Sequence, residues 1–238
     1  MLQKISLYLF LFVVSLSLSG QQANDTINQK DTRGRKQGYW KKYNESGMLK
    51  YKGQFVNDVP VGDFVYYFPD GIVKARSVFR ENGKFSETTT YHHSGKVMSK
   101  GFYREKAKDS LWKYYDSGNV LLKEEFYRNT EKDGVWKVYF GNGQVAEEET
   151  WAHNKKNGPS KQYYEDGKIK IEEFYENDEK QGKVNYYFPS GRTQITGQYE
   201  QSLRSGQWIY SDENGKVTRL ETYKDGIKLE SKDHENNK

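Results

Sequence analysis

His92 and His93 are the two histidines of this chain that stand side by side, and His153 and His234 lie apart from them. Adjacent strand residues point to opposite faces, so the pair cannot close on one ion, and no metal or cofactor is expected. Carboxylates are more plentiful, in runs at Glu124-Glu125, Glu147-Glu148-Glu149 and Glu172-Glu173. Two of them could carry out acid–base chemistry on a glycoside if a concave site held them at a set separation. Their spacing suits a ladder better. Glu124, Glu149, Glu173 and Glu221 each stand six residues after a turn glycine, so they line up from repeat to repeat, with Lys137 and Lys161 on intervening strands to relieve like-charge repulsion. A bound cation or a basic partner is the other use such a row could have. Gly141-Asn142-Gly143 contains Gly-x-Gly but opens no helix, so nucleotide binding is not expected. Nothing here supplies a nucleophile, a base and a pocket together, and the chain does not read as an enzyme.

Composition narrows the classes further. Lys and Arg number 38 against 33 Asp and Glu, a net charge of +5 over 238 residues that is too balanced for a nucleic-acid partner. Hydrophobic residues reach only 34% and mean hydropathy is −1.05, which excludes a deep aliphatic core. Disordered chains are equally polar but poor in aromatics, whereas this one has 20 Tyr, 12 Phe and 5 Trp at fixed phase. There is no cysteine, so neither a disulfide nor a lipid anchor on cysteine can contribute.

The elements that must position these residues follow from a repeat. Gly47, Gly71, Gly95, Gly118, Gly143, Gly167, Gly191 and Gly215 succeed one another at steps of 24 residues, broken once by 23 and then 25 around Gly118. Ser, Asp or Asn precedes each, and strand-like residues flank it, which predicts a three-residue hairpin loop with a bulge. Four before the glycine stands tyrosine in seven copies, two after it mostly an aliphatic, and eight after it an aromatic in all eight, among them Phe55, Phe79, Phe126 and Trp151. Strict alternation would place these three positions on one regular face that serves packing. The other face would carry Trp40, Phe64, Trp136 and Trp208 seven before the glycine, while Trp112 falls one residue too close to Gly118. The expected fold is all-β, an elongated open antiparallel sheet of about eight stacked β-hairpin repeats, some 16 strands extending about 75 Å. A closed propeller is the alternative, but its blades need about 40 residues or more.

The flanks differ from the repeats. Residues 1–19 have Lys4 followed by an uncharged run from Ile5 to Leu18 and a small-x-small site at Ser17-Leu18-Ser19, the pattern of a secretory signal peptide. That run is shorter than the ~20 residues of a spanning helix. Residues 20–35 read as a linker, 36–226 as the repeat domain and 227–238 as a charged, frayed tail. Export would place the protein in the periplasm, the outer envelope or the extracellular space.

The pattern of Gly38-Tyr39-Trp40-Lys41-Lys42-Tyr43 and Gly134-Val135-Trp136-Lys137-Val138-Tyr139, followed by the turn glycine, an aliphatic and an aromatic, resembles the bacterial variant of the membrane occupation and recognition nexus repeat. The resemblance implies β-hairpins stacked into an elongated sheet that serves as a scaffold or binding module, with lipid or protein partners. Where Thr88, Ser160 and Val184 replace the tryptophan, looser packing is expected. The function expected is a non-catalytic, exported binding module of the cell envelope contacting a protein or membrane-surface partner, or alternatively a glycan or cell wall through an aromatic ladder. Aromatics that persist in the middle copies and drift elsewhere, Tyr66, Phe68, Trp136, Phe140, Tyr164, Tyr186 and Phe188, are the candidate contact residues. Free edge strands leave end-to-end association open. Sequencing the N-terminus of protein recovered from its host is expected to begin near Gly20 or Gln21; an intact Met1 on an envelope-bound product would mean a membrane anchor instead.

Overall fold

A computed structural model describes residues 26–234, so the segment 1–19 read as a signal peptide lies outside the described residues. Two short-period turns alternate along the chain, and they dictate the architecture. The first closes each repeat at Gly47, Gly71, Gly95, Asn119, Gly143, Gly167, Gly191 and Gly215, whose φ angles lie between 76° and 88°. In each, the residue three before the left-handed position accepts a hydrogen bond from its N–H, as Asn44 O does from Gly47 N at 3.0 Å, and donates across the loop, as Asn44 N does to Met48 O at 2.9 Å. The second turn joins one repeat to the next through two left-handed residues such as Asn57 and Asp58 or Asn154 and His153, the geometry of a two-residue hairpin.

Among the described residues, consecutive hairpins joined this way give twenty strands in a single open antiparallel sheet, paired in chain order, with the two halves of a broken strand pairing with the same neighbour. The repeats are β2 (Lys36–Tyr43) with β3 (Leu49–Val56), β4 (Val59–Tyr67) with β5 (Val73–Arg80), β6 (Phe85–Tyr91) with β7 (Val97–Arg104), and β8 (Ala107–Tyr115) with β9 (Leu121–Arg128). The later four are β10 (Glu131–Lys132) and β11 (Gly134–Tyr139) with β12 (Val145–Ala152), β13 (Lys155–Tyr163) with β14 (Ile169–Glu176), β15 (Glu179–Lys180) and β16 (Gly182–Tyr187) with β17 (Thr193–Glu200), and β18 (Leu203–Ser211) with β19 (Val217–Lys224). The count exceeds sixteen because two strands are broken by bulges and both ends add one.

Those end strands correct the expected flanks. Part of the segment read as linker forms β1 (Gln29–Lys30), which pairs with β2 around a turn that Asp31 caps by accepting from Arg33 N and Arg35 N at 2.9 Å each. The charged stretch read as a frayed tail forms β20 (Ile227–Asp233), because the open edge of β19 offers it a full row of hydrogen bonds.

A second correction concerns the fourth repeat. Gly118 is not the left-handed residue; Asn119 is, with φ 76°, while the Asp116 carboxylate accepts from Gly118 N and Val120 N at 2.8 Å each. Counted from the left-handed residue the period is 24 throughout, and Trp112 falls seven before it like every other tryptophan of its set.

The third correction is of the faces. Tyr43 pairs with Leu49 as expected, but Lys42 pairs with Tyr51, so one residue is inserted between them, and the same register shift recurs in every repeat. Beyond this bulge the alternation is inverted. The aromatics eight after the turn therefore share a face with the tryptophans, opposite the tyrosines four before it. Trp40 meets Phe55 edge-on at 6.0 Å, and Phe126, one residue off through the Gly118 miscount, yields its place to Tyr127. We call the two sides the tryptophan face and the tyrosine face. The turn chemistry is open to test: Asn119→Ala is expected to lower stability by about 1 kcal/mol or more, since a Cβ without a local hydrogen-bonding group resists the left-handed region, while Asn119→Gly leaves the urea midpoint unchanged or raises it.

Candidate binding face

Among the described residues no second layer packs on the sheet, so its large side chains must cover one another. On the tryptophan face the residue seven before each turn sits directly across from the residue six after the previous turn. Where the former is a ring the latter is usually glycine, and the ring lies flat on bare backbone: Phe64 on Gly53, Trp112 on Gly101, Trp208 on Gly197. A Cβ built on Gly197 would stand 2.3 Å from Trp208 Cδ2, so no other residue fits beneath that ring. Flanking aromatics close the sides edge-on, Phe55 and Phe79 at 5.1 and 5.0 Å from Phe64, Tyr199 and Tyr223 at 5.2 and 6.1 Å from Trp208. Phe64, Trp112 and Trp208 are thereby 2% exposed or less.

Between the rings runs a row of cations that recurs every 24 residues. Lys36 lies over Trp40 and Phe55, Lys108 over Trp112 and Tyr127, Lys132 over Trp136 and Trp151, and Arg204 over Trp208 and Tyr223, 4.1 to 5.2 Å from the ring centroids. Acids six after the turn answer them. Glu173 pairs with Lys180 at 2.7 Å and Glu149 with Lys156, filling the places where Ser160 and Val184 supply no ring. Glu125 is held by Lys123 at 2.5 Å and by Tyr127 Oη at 2.9 Å. Burial raises its affinity for a proton, but these hydrogen bonds and one from Tyr114 outweigh burial and hold the carboxyl below the usual range. After burial itself, the Glu125 carboxylate raises the Tyr127 and Tyr114 hydroxyls that donate to it.

The expected glutamate row divides between the faces. Glu149, Glu173 and Glu221 lie on the tryptophan face, joined there by Glu125 once the turn is counted correctly. Glu124 lies on the tyrosine face with Glu148 and Glu172, where it alternates with lysine across consecutive strands: Lys113 meets Glu124 at 2.7 Å, Lys137 meets Glu148 at 2.8 Å and Lys161 meets Glu172 at 3.2 Å. Tyr139 and Tyr163 donate to Glu124 and Glu148 at 2.9 and 2.8 Å, and burial with these bonds raises both hydroxyls to about 12. Every member of this ladder is used by a neighbour. Among the described residues no cluster of three or more His, Asp and Glu is arranged to hold a metal ion, and no helix is long and apolar enough to cross a membrane.

The seven candidate contact residues fall into two groups. Trp136 belongs to the packed strip, 5.3 Å from Tyr127 and 5.5 Å from Trp151, its indole donating to Phe126 O at 2.8 Å. Tyr66 and Tyr186 flank the strip on the same face, and Tyr66 meets Phe64 at 6.2 Å. Phe68, Phe140, Tyr164 and Phe188 stand three before the turn in their repeats and make one half-buried row along the loop edge. Three of them occupy consecutive repeats, where two strand spacings, about 10 Å, separate neighbours. Phe68 is removed from them and packs on His93 at 4.4 Å, with Asp70 accepting from or pairing with that imidazole at 2.6 Å. The sequence reading passed over the cation row, although Lys84, Lys108, Lys132, Lys156 and Lys180 recur at the full period.

A family model described as MORN repeat variant matches residues 36–57, 87–105, 132–153, 156–177 and 204–225. The matched stretches run from the cation to the first residue of the connecting turn, beginning three residues later in the second. No curated protein matches the chain. Among solved structures, the Tc holotoxin pore of Photorhabdus luminescens is 12% identical over 78% of this chain with a TM-score of 0.23, and the chain spans 12% of that one. A porin-like protein from Bacteroides uniformis is 9% identical over 81% of this chain and 92% of its own, with a TM-score of 0.20.

At the end of the strip Glu221 accepts from Tyr210 at 2.6 Å and Tyr223 at 3.0 Å and meets Lys228 at 3.3 Å. Led by the Tyr210 bond, these contacts outweigh burial and lower its carboxyl from 4.5 to about 2. A folded-state value below the unfolded one stabilises fully above pH 4.5, and that stabilisation is lost as pH falls toward 2. Glu221→Gln is therefore expected to lower the Tm at neutral pH and to make it depend less on pH across that window, measured by circular dichroism.

Proposed function

We propose, from the premise that this chain belongs to the MORN repeat variant family, that it is a non-catalytic binding module of the cell envelope that grips a protein or membrane-surface partner along the tryptophan face and its loop edge. The family and the repeated sheet make it a repeat binding module; export, the partner class and the absence of catalysis are our reading. The observation that carries it is the row Phe140, Tyr164 and Phe188, three aromatics in register on consecutive loop edges, at positions where Asn44 and Asp212 serve the same turn equally well. The turn itself needs only the backbone there; Tyr164 Oη also donates to Tyr187 O of the next repeat at 2.7 Å, whereas the rings of Phe140 and Phe188 can make no such bond, and half-exposed aromatic bulk on a loop edge suits a contact surface. Export rests on the apolar run from Ile5 to Leu18.

A glycan-binding use of the strip is less well supported. Sugar rings stack on open aromatic faces, and here ammonium or guanidinium groups already lie over Trp40, Trp136, Trp151 and Trp208. At one end β20 carries Lys228, Glu230, Lys232 and Asp233 on a fully exposed edge, and such charge opposes pairing between copies there; at the other, β1 pairs only with Lys36 and Gln37 of β2.

Capture from an envelope fraction tests the reading. The double variant Phe140→Ala/Tyr164→Ala is expected to lose most of the captured partner while its Tm moves by a few degrees at most. If it unfolds as Trp208→Ala does, a change expected to cost about 3–5 kcal/mol, the loop row is packing and the reading fails.

A further inference from the structure

The third repeat departs from the strip in three places at once. Thr88 stands where a ring would lie, Ser77 stands across from it where glycine or glutamate would be, and the two bond through their hydroxyls at 2.8 Å. The strand before Thr88 also lacks the bulge of its counterparts: β5 pairs with β6 without interruption from Ala75–Thr90 to Arg80–Phe85. Elsewhere the bulge sets the cation opposite the aromatic, as in Trp151 with Lys156 and Tyr199 with Arg204. Without it Phe79 pairs with Ser86, and Lys84 is carried into the connecting turn, where it is 67% exposed and 3.8 Å from Glu105.

Neither ring nor cation therefore fills the space between Phe79 and Tyr103. A cleft of about 270 Å³ opens there, with Ala75, Ser77, Ser86 and Thr88 as its floor and Tyr66 at one end. Its walls are stiff. Phe79 is backed by Phe64 at 5.0 Å and Tyr103 by Trp112 at 4.9 Å, each on the side away from the cleft. The chain itself shows what such a pair of walls accepts, since Phe64 occupies the equivalent space between Phe55 and Phe79. Lys84 and Lys106 are the charged residues of its lining, and Glu105, outside that lining, stands 3.8 Å from the Lys84 ammonium.

We propose that this cleft is the anchor site of the binding module, taking one aromatic side chain, flanked by carboxylates, from a protein partner. The inference rests on the reading of the chain as a binding module and names the chemistry of what it grips. A planar ring replaces the missing one edge-on between Phe79 and Tyr103, and flanking Asp or Glu meets the two ammonium groups at the mouth.

The test titrates the full chain with the blocked peptide Gly-Asp-Trp-Asp-Gly, following the indole resonances by NMR and affinity by calorimetry. Saturable binding with upfield indole shifts is expected, weakened at least tenfold in Gly-Asp-Ala-Asp-Gly and severalfold in Gly-Asn-Trp-Asn-Gly. Two variants fill the cleft from within, Ser77→Gly/Thr88→Trp and Ser77→Gly/Thr88→Phe, the latter copying the Gly53 and Phe64 pair. Each is expected to raise the Tm by several degrees and abolish the titration; a folded filled variant that still binds overturns the proposal, as does absence of binding by the natural chain at millimolar peptide. Equal binding of the Asp and Asn peptides overturns the acidic flank, and competition by chitopentaose would replace the peptide with a glycan. Envelope capture that survives filling of the cleft but not loss of Phe140 and Tyr164 would refute the cleft and leave the module standing.

Discussion

Everything in this sheet depends on how a ring is buried when there is no second layer to bury it against. The solution is a pair of residues on adjacent strands of different repeats, an aromatic on one and bare backbone on the other. Glycine is required under Phe64, Trp112 and Trp208 because any side chain there would occupy the ring's own volume. Since seat and ring come from successive hairpins, the pair stabilises the junction between repeats and leaves either hairpin incomplete alone. The same junction has three other solutions, one of them the ring of Trp136 set across from Glu125 in place of glycine. Serine with threonine bonds across the strands at Ser77 and Thr88, and glutamate with a small residue admits a lysine from the next turn, as at Glu149 with Ser160 and Glu173 with Val184. Thr88, Ser160 and Val184 are each 7% exposed or less, so the looser packing expected at these places does not show as exposure of the residues themselves.

This economy explains a composition that is rich in aromatics and poor in aliphatics. One face is closed by rings and cation stems, the other by ion pairs and tyrosine hydroxyls, and Val65 is a rare aliphatic buried outside the strip, set between Lys52 and Arg76 on its neighbours. Exposed ion pairs contribute little individually, ~0–1 kcal/mol. Their worth on the tyrosine face lies in register, since a slip by one residue would oppose Glu148 to glutamine or valine and expose the tryptophan strip to water.

Much of this was legible in the sequence because the turn has strict backbone demands. A left-handed residue every 24 positions, with a small polar residue before it, fixes hairpins, their number and an all-antiparallel order. Two things were not legible. Asn119 adopts the left-handed conformation beside a glycine that does not, and a glycine's mere presence cannot reveal which of two neighbours takes the positive φ. The bulge after each turn leaves no residue signature of its own, since Lys50, Met98 and Ala146 share no chemistry at that place, yet it inverts the faces beyond it. Of the candidate contacts, Phe140, Tyr164 and Phe188 emerge as one row, whereas Trp136 is bound into packing. Tyr66, chosen for aromatic bulk alone, lies at the end of a cleft that no single position disclosed.

That cleft depends on correlated absence, which is why position-by-position comparison passes over it. Thr88 alone would have left room for lysine, as Ser160 does; Ser77 alone would have sat against a ring, at the cost of strain. Only with both changed, and with the bulge before β6 removed so that Lys84 is turned outward, does the junction stay open. In a solenoid whose interior is also its surface, each junction can be closed by the chain or left for something else to close. Regular junctions carry the stability, and their stiffness holds the walls of the irregular one apart: Phe64 and Trp112, seated on Gly53 and Gly101, keep Phe79 and Tyr103 from collapsing together across the space between them.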